Sequence, residues 1–138
     1  MPVNPLSHVP IYEQIIEHIC TLVAAGVYRP GEPLPSVRTL AAKLVVNPNT
    51  VQRAYMELQR SDLVRKRKGL GVFVAENGTT SAQKKTETAM YGRFTDGIKL
   101  GRATSLGVQR IRAVFGKAMN DVKDAAADNV GAQPQRDS

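Results

Sequence analysis

Residues 36–58 read SVRTLAAKLVVNPNTVQRAYMEL, and this stretch predicts two short helices joined by a tight turn. Ser36 offers a side-chain oxygen that can cap the first helix. Apolar side chains then recur at helical spacing as far as Leu44, and Arg38 and Lys43 lie outside that set. The first helix therefore has only about two to three turns before Val45 and Val46 connect it to the second.

The second helix of this pair has clear boundary signals. Asn47 can cap it, and Pro48 suits its first position, where no N–H group is needed. One face has the spacing of a buried stripe and consists of Val51, Ala54, Tyr55 and Leu58. The complementary face consists of Asn49, Thr50, Gln52, Arg53 and Met56.

A longer helix precedes this pair. Its pattern begins at Pro10 and stops at Gly26. Its single apolar stripe consists of Tyr12, Ile15, Ile16, Ile19, Leu22 and Val23. Residues 1–9 show no periodicity and are predicted to form an extended arm, while the prolines and glycine of residues 28–35 predict a turn leading to a very short strand at most.

A β-hairpin is predicted after the helical pair. Residues 63–68 and 72–74 have strand character, and they flank a connection that contains Gly69 and Gly71. The order of one helix, a helix-turn-helix and a hairpin is that of a winged helix. We therefore predict a mainly α fold with a small β-hairpin, in which a winged helix-turn-helix covers residues 10–76.

The rest of the chain predicts a two-helix hairpin. We expect a polar linker over 77–84, the helical hairpin over 85–127 and a disordered tail over 128–138. Two short helices cannot bury both of their apolar stripes on each other, so the surplus requires a partner, most simply a second copy. The predicted dimerisation residues are Met90, Phe94, Ile98, Val108, Ile111, Phe115, Met119 and Val122.

Length and charge exclude several classes of protein. A chain of 138 residues cannot hold a large catalytic domain, and it contains one cysteine and no signal-peptide pattern. Apolar runs are well short of the roughly 20 residues that span a bilayer, so we expect a cytoplasmic protein without a membrane segment. The formal charge is +7, and residues 29–74 contain nine basic and three acidic side chains. Charge alone fits either a polyanion-binding surface or a solvated surface that maintains solubility.

The exposed face of the second short helix has the chemistry that base recognition requires. Asn49 and Gln52 carry amides that can pair with adenine N6 and N7, and Arg53 can reach guanine or a phosphate. Thr50 suits a phosphate oxygen. The basic residues at 65–68 are expected at the hairpin tip, where a cationic side chain can enter a minor groove. The basic window is therefore interpreted as a DNA-binding surface.

Each of these features also has an ordinary structural explanation. Asn47 and Thr50 can serve helix capping alone, and the basic residues at 65–68 can protect a strand edge. Cys20 is most simply a small core residue. The two histidines are too few for a metal site, and no nucleophile is paired with a base, so we predict no metal, no cofactor and no enzymatic activity. The correct order of all the elements favours DNA binding.

Four linked motifs add a resemblance to a known family. They read PIYEQI at 10–15, PGEPLPSVRTLA at 30–41, VNPNTVQRAY at 46–55 and KGLGVFV at 68–74. Together they resemble the GntR family of bacterial transcription regulators, and VNPNTV with the short remainder is similar to the YtrA-like subfamily. The DNA-binding residues predicted on this basis are Ser36, Arg38, Asn49, Thr50, Gln52, Arg53, Arg67, Lys68 and Gly69.

Three positions depart from the pattern of many GntR relatives. Pro48 and Gln52 stand where those relatives carry arginine, so their base preference does not transfer to this chain. Asp62 stands where relatives usually carry the glycine that ends the helix.

The predicted function is that of a sequence-specific DNA-binding transcription regulator. We expect a homodimeric repressor of a near-palindromic operator, with half-sites about 34–36 Å apart. The predicted partners are double-stranded DNA and a second copy of the chain, and a small-molecule effector and the sign of regulation are left open. One alternative is a winged-helix protein-interaction module without sequence-specific DNA binding, and another is a thiol-based sensor that uses Cys20.

Overall fold

The computed structural model describes residues 3–128, and it contains five helices and one two-stranded antiparallel sheet over that range. In chain order the elements are α1 (Ile11–Ala24), α2 (Val37–Leu44), α3 (Pro48–Arg60), β1 (Val64–Arg67), β2 (Gly71–Val74), α4 (Gly78–Ala103) and α5 (Val108–Asp128). The predicted fold class, a winged helix-turn-helix followed by a helical hairpin, is confirmed. The predicted disordered tail lies outside the described residues from position 129 onward. No helix within residues 3–128 combines the length and apolarity needed to cross a bilayer.

Helix α3 is the centre of the first unit. It packs against α1, α2 and β1. Its predicted stripe of Val51, Ala54, Tyr55 and Leu58 is almost completely buried. The core also contains the buried side chains Ile15, Ile19, Cys20 and Val23 of α1 and Leu40 and Ala41 of α2. One face of α3 is thereby committed to the core, and the opposite face is left exposed.

Hydrogen bonds fix where α2 begins. The Ser36 side chain accepts from the Thr39 N–H at 3.1 Å, as predicted for a cap. The Tyr55 hydroxyl donates to the Pro35 carbonyl at 2.6 Å, which ties α3 to the residue before that cap. Burial raises the pKa of Tyr55, so the hydroxyl remains a protonated donor at neutral pH.

The turns after α2 and α3 both use a left-handed residue that is not glycine. Val45 has φ 55° and Asp62 has φ 60°. At the end of α3 the Leu63 N–H donates to the Leu58 carbonyl, and the Asp62 backbone N–H donates to the Gln59 carbonyl, each at 3.0 Å. Asp62 thus adopts the backbone conformation that a helix-ending glycine would provide, and the hairpin follows in the expected place.

The wing, defined as β1, β2 and the connecting residues 68–70, differs in one respect from the prediction. Arg65 pairs with Phe73 in the middle of the sheet and Arg67 pairs with Gly71, so only Lys68 of the four basic residues lies in the tip connection. The basic residues at 65–67 lie in β1 and pair with residues of β2, so they are not at the tip as predicted. Pro33 forms an isolated antiparallel bridge with Phe73 of β2, and the neighbouring Leu34 N–H donates to the Val72 carbonyl at 2.8 Å.

The predicted extended arm is folded into turns over the described residues 3–9. The Asn4 N–H donates to Gln14 Oε1 at 2.8 Å. The Gln14 amide nitrogen in turn donates to the carbonyls of Asn4 and Val9, each at 2.9 Å. The described part of this segment thus differs from the extended conformation that we predicted, and the Gln14 side chain satisfies three of its backbone groups.

The predicted linker at 77–84 is helical from Gly78 onward. The chain divides into two compact units after Glu87, so the first turns of α4 belong to the winged-helix unit. Ala82 is completely buried there, and the Cys20 thiol donates to its carbonyl at 3.6 Å. Sequence polarity suggested a linker, but the buried residues Gly78 and Ala82 pack this segment against the first unit. Cys20 is buried as predicted, and burial raises its pKa.

The second unit pairs the rest of α4 with α5. The Phe94 and Phe115 rings meet edge to face with centroids 5.7 Å apart. Gly101 is buried, and a Cβ there would lie 2.9 Å from Ile111 Cγ1, so the helices approach closely at this point. Most of the apolar surface is nevertheless uncovered: seven of the eight predicted dimerisation residues, all except Ile111, remain 45–69% exposed.

We expect Tyr55→Phe to lower the free energy of unfolding by about 1–2 kcal/mol, because the Pro35 carbonyl loses its donor. Urea denaturation would measure the change. Tyr91→Phe is a matched control, since Tyr91 is 72% exposed, and it should leave stability unchanged. Equal stability of the two variants would contradict the structural role of the Tyr55 hydroxyl.

We expect Val45→Gly to raise the free energy of unfolding by about 1 kcal/mol, because a β-branched residue is strained at positive φ. Val45 is 90% exposed, so its removal costs little packing. Asp62→Gly should give a smaller gain, since aspartate tolerates this conformation better. Ala42→Gly is the control, and it should lower the free energy of unfolding because glycine is unfavourable inside α2. A lower free energy of unfolding in Val45→Gly would contradict strain at Val45.

Candidate nucleic-acid interface

The outer face of α3, defined as Asn49, Gln52, Arg53 and Met56, is exposed to solvent. With 3.6 residues per turn, these positions lie broadly opposite the buried stripe that starts at Val51. Thr50 lies at the edge of this face and is half-buried. The face offers amide, guanidinium and thioether groups to a ligand, and none of its four members is part of the core.

The start of α3 is capped by Asn47. Its side-chain oxygen accepts from the Asn49 N–H at 2.8 Å, and Pro48 occupies the first helical turn. The predicted capping explanation of Asn47 is therefore confirmed. The Asn49 amide projects from this capped turn and is exposed.

Arg53 is held in a way that the sequence did not indicate. Its guanidinium carbon lies 3.9 Å from the centroid of the Tyr12 ring, which belongs to α1. The Tyr12 hydroxyl donates to Glu13 Oε1 at 3.1 Å, and this hydrogen bond raises the pKa of Tyr12. Tyr12 was expected in the core stripe of α1, yet it is half-buried and also contacts the exposed side of α3. Only the packing of α1 on α3 brings these two positions together.

Ser36 and Arg38 lie at the beginning of α2. Besides capping the helix, the Ser36 hydroxyl donates to Thr39 Oγ1 at 2.8 Å. Arg38 is on the first turn and is exposed. Ser36 is thus engaged within its own helix, whereas the Arg38 guanidinium is accessible to a ligand.

The wing presents its arginines on one face. Because Arg65 and Arg67 are two residues apart in β1, their side chains share a face, and Lys66 points to the other. The Arg67 guanidinium carbon lies 4.8 Å from the centroid of the Phe73 ring on the same face. Lys68, Gly69 and Leu70 form the tip, where Gly69 has φ 77° and Leu70 is 70% exposed. The tip therefore combines one cation with one apolar side chain, and the sequence analysis had not singled out Leu70.

The nine predicted DNA-binding residues share one property: eight are exposed, and Thr50 is half-buried. Glu57 is an acidic residue of α3, and its Oε1 accepts a hydrogen bond from Arg60 Nη1 at 3.0 Å. Within residues 3–128, no group of three or more His, Cys, Asp and Glu side chains could hold a metal ion. Six of these nine positions carry a cationic or an amide side chain and two carry a hydroxyl, which suits a polyanion with hydrogen-bonding groups.

Comparisons with known proteins identify chains with the same sequence pattern and fold. A family model described as bacterial regulatory proteins, gntR family, matches residues 11–74. The HTH-type transcriptional repressor YtrA of Bacillus subtilis is 44% identical over 79 residues, which are 57% of this chain and 61% of that protein. This chain therefore matches only about three fifths of that relative's length.

Two solved structures are similar as well. A GntR family transcriptional regulator from Listeria monocytogenes has a TM-score of 0.69 and 31% identity, over 83% of this chain and 98% of that chain. The structure of AraR(DBD) in complex with operator ORX1 has a TM-score of 0.50 and 28% identity, over 54% of this chain and 93% of that chain. The matches from Bacillus subtilis and Listeria monocytogenes are described as a transcriptional repressor and a transcriptional regulator, and the matched family segment contains all nine candidate residues.

Proposed function

The chain belongs to the GntR family of bacterial regulatory proteins, and on that premise we propose that it regulates transcription by binding operator DNA. Helix α3 enters the major groove, and the wing lies along the neighbouring backbone and minor groove. The observation that carries this proposal is the exposure of the cationic and amide side chains of α3 and the wing, none of which the core uses.

Base recognition is assigned to Asn49 and Gln52. Both side chains are exposed on α3, and each amide can donate to adenine N7 while accepting from N6. Arg38 and Thr50 fit contacts with phosphate oxygens, which position the helix without reading sequence. Met56, at 51% exposure, adds an apolar group that can contact a thymine methyl.

The wing supplies further phosphate and minor-groove contacts. Arg67 is steadied on Phe73, and Lys68 lies beside a glycine that allows close approach of the backbone to DNA. A basic side chain here is attracted by the strongly negative potential of a narrow minor groove.

We propose that two copies of the chain associate through α4 and α5. Large apolar side chains stay exposed on both helices of the second unit, among them Met119 at 58% and Val122 at 69%. A concentration of large exposed apolar side chains on two neighbouring helices is typical of an interaction site. A twofold dimer would place two copies of α3 on a near-palindromic operator. The similarity to the YtrA repressor supports repression, by occupation of promoter DNA in the cytoplasm, as the outcome.

We expect Gln52→Ala to weaken operator binding by about 1–3 kcal/mol and to relax preference at one base pair, because one amide contact is lost. Fluorescence anisotropy with the chain's own upstream DNA and single-base variants of it would measure both effects. Gln83→Ala is the matched control, since Gln83 is exposed on α4 and is not among the residues proposed to contact DNA. An equal loss on operator and unrelated duplex would contradict base recognition by Gln52.

The same titration tests DNA binding itself when it is repeated at several salt concentrations. If each subunit of a dimer neutralises about four phosphates, the logarithm of affinity should fall with the logarithm of salt concentration with a slope near −7. A response independent of salt would refute the proposal and would favour a protein-interaction module.

We expect Met119→Glu to convert the dimer to monomers, because a carboxylate would have to be buried in an apolar contact. Sedimentation velocity would give the mass of each species. Gln109→Glu introduces the same charge at an exposed polar position of α5 and should leave the dimer intact. A monomeric unmodified protein, or an undisturbed dimer in Met119→Glu, would overturn this assignment.

A further inference from the structure

Arg53 has a fixed platform on a different helix. Its guanidinium is stacked at 3.9 Å over the ring of Tyr12, while Tyr12 itself packs against the edge of the core. The ring is further held because its hydroxyl donates to Glu13. An arginine on an exposed helix face normally samples many rotamers, and ordering such a side chain on binding costs free energy. Here the guanidinium already has a stacking partner on the protein in the absence of a ligand, which favours one position of the side chain.

The stacked geometry leaves the useful part of the guanidinium accessible. Its N–H donors lie in the plane of the group, so stacking occupies a flat face and leaves the edges able to reach an acceptor. Arg53 is exposed in this arrangement. Glu57, one turn along α3, accepts from Arg60. A planar cation of this kind is suited to a phosphate oxygen.

The position of the platform favours a phosphate over a base edge. Tyr12 belongs to α1, which packs along one side of α3, so the stacked guanidinium is drawn toward that side of the outer face. The amides of Asn49 and Gln52 remain to occupy the groove. In sequence-specific complexes the backbone contacts flank the base contacts and fix the register of the helix.

We propose that Tyr12 is a positioning residue for DNA binding, which holds Arg53 on the α1 side of α3 so that Arg53 contacts a backbone phosphate and not a base. The inference rests on the proposed function, because it assigns a role within the same DNA-binding surface. It also resolves the two possibilities for Arg53, guanine or phosphate, in favour of phosphate.

A double-mutant cycle in the chain of 138 residues tests this role. The variants are Tyr12→Leu, Arg53→Ala and the double variant, titrated with operator and unrelated duplex over a range of salt concentrations. Tyr12→Leu should weaken binding to both duplexes about two- to fivefold, as expected for loss of an exposed cation–π contact. Its salt slope should be unchanged because the charge of Arg53 remains, whereas Arg53→Ala should reduce the slope by about 0.9 per subunit. The double variant should bind no more weakly than Arg53→Ala alone.

Two conservative variants separate positioning from a merely structural role. Tyr12→Phe retains the ring and should recover the affinity that Tyr12→Leu loses. Arg53→Lys lies on an exposed position of α3, so it should fold even if Tyr12→Leu does not. It keeps the charge without the planar stacking surface, and it should reproduce the loss on both duplexes with an unchanged salt slope.

Several outcomes would overturn the inference. One is a Tyr12→Leu effect that persists when Arg53 is already alanine, and another is full affinity in Arg53→Lys. A loss in Arg53→Ala that is confined to one base pair would assign base recognition to Arg53. If the unmodified protein shows no salt-dependent binding to any duplex, the proposed function fails as well. Salt-dependent binding without coupling between positions 12 and 53 refutes only the positioning role.

Discussion

The burial of one face of α3 is the constraint on which the rest of the structure depends. Tyr55 lies 1% exposed in the centre of that face, and its hydroxyl donates to the carbonyl of Pro35. Val51, Ala54 and Leu58 are completely buried beside it. Because a helix is rigid, fixing this stripe against α1, α2 and β1 also fixes the direction of the opposite face. The exposed amides therefore occupy defined positions on a well-packed core.

Packing around α3 also orders groups that the helix alone would leave mobile. Tyr12 comes from α1 and stacks on Arg53, and Phe73 of β2 stacks with Arg67 in a similar way. In both pairs an aromatic ring that is partly covered by the protein steadies an exposed cation. Cation–π contacts at such sites are individually weak, about 0.5–1 kcal/mol, but they reduce the entropy lost when the arginines meet a polyanion. The second unit differs, since its exposed groups include large apolar side chains suited to a protein partner.

The sequence predicted correctly those features that depend on neighbouring residues, such as helix periodicity and capping. It did not predict the features that depend on contacts between residues far apart in the chain. The stripe spacing of α3 and the Ser36 cap were predicted correctly, as was the order of helices and strands. The end of α2 at Leu44 was also predicted correctly, but the residues that adopt the left-handed conformation after α2 and α3 are Val45 and Asp62, and neither is glycine. Local preference disfavours valine there, so the tertiary packing of the flanking helices has overridden it.

The sequence by itself determined the order of α1, α2, α3 and the hairpin, the buried stripe of α3 and the chemical character of its exposed face, because periodicity and capping act over a few neighbouring residues. Only the tertiary structure decided that residues 78–84 are helical and attached through Ala82, that Gln14 folds the N-terminal segment, and that Arg53 rests on Tyr12. Those features depend on contacts between positions far apart in the chain, and no local pattern encodes them. The nine candidate DNA-binding positions could be named from the sequence, but the ordering of Arg53 required the packing of α1 against α3.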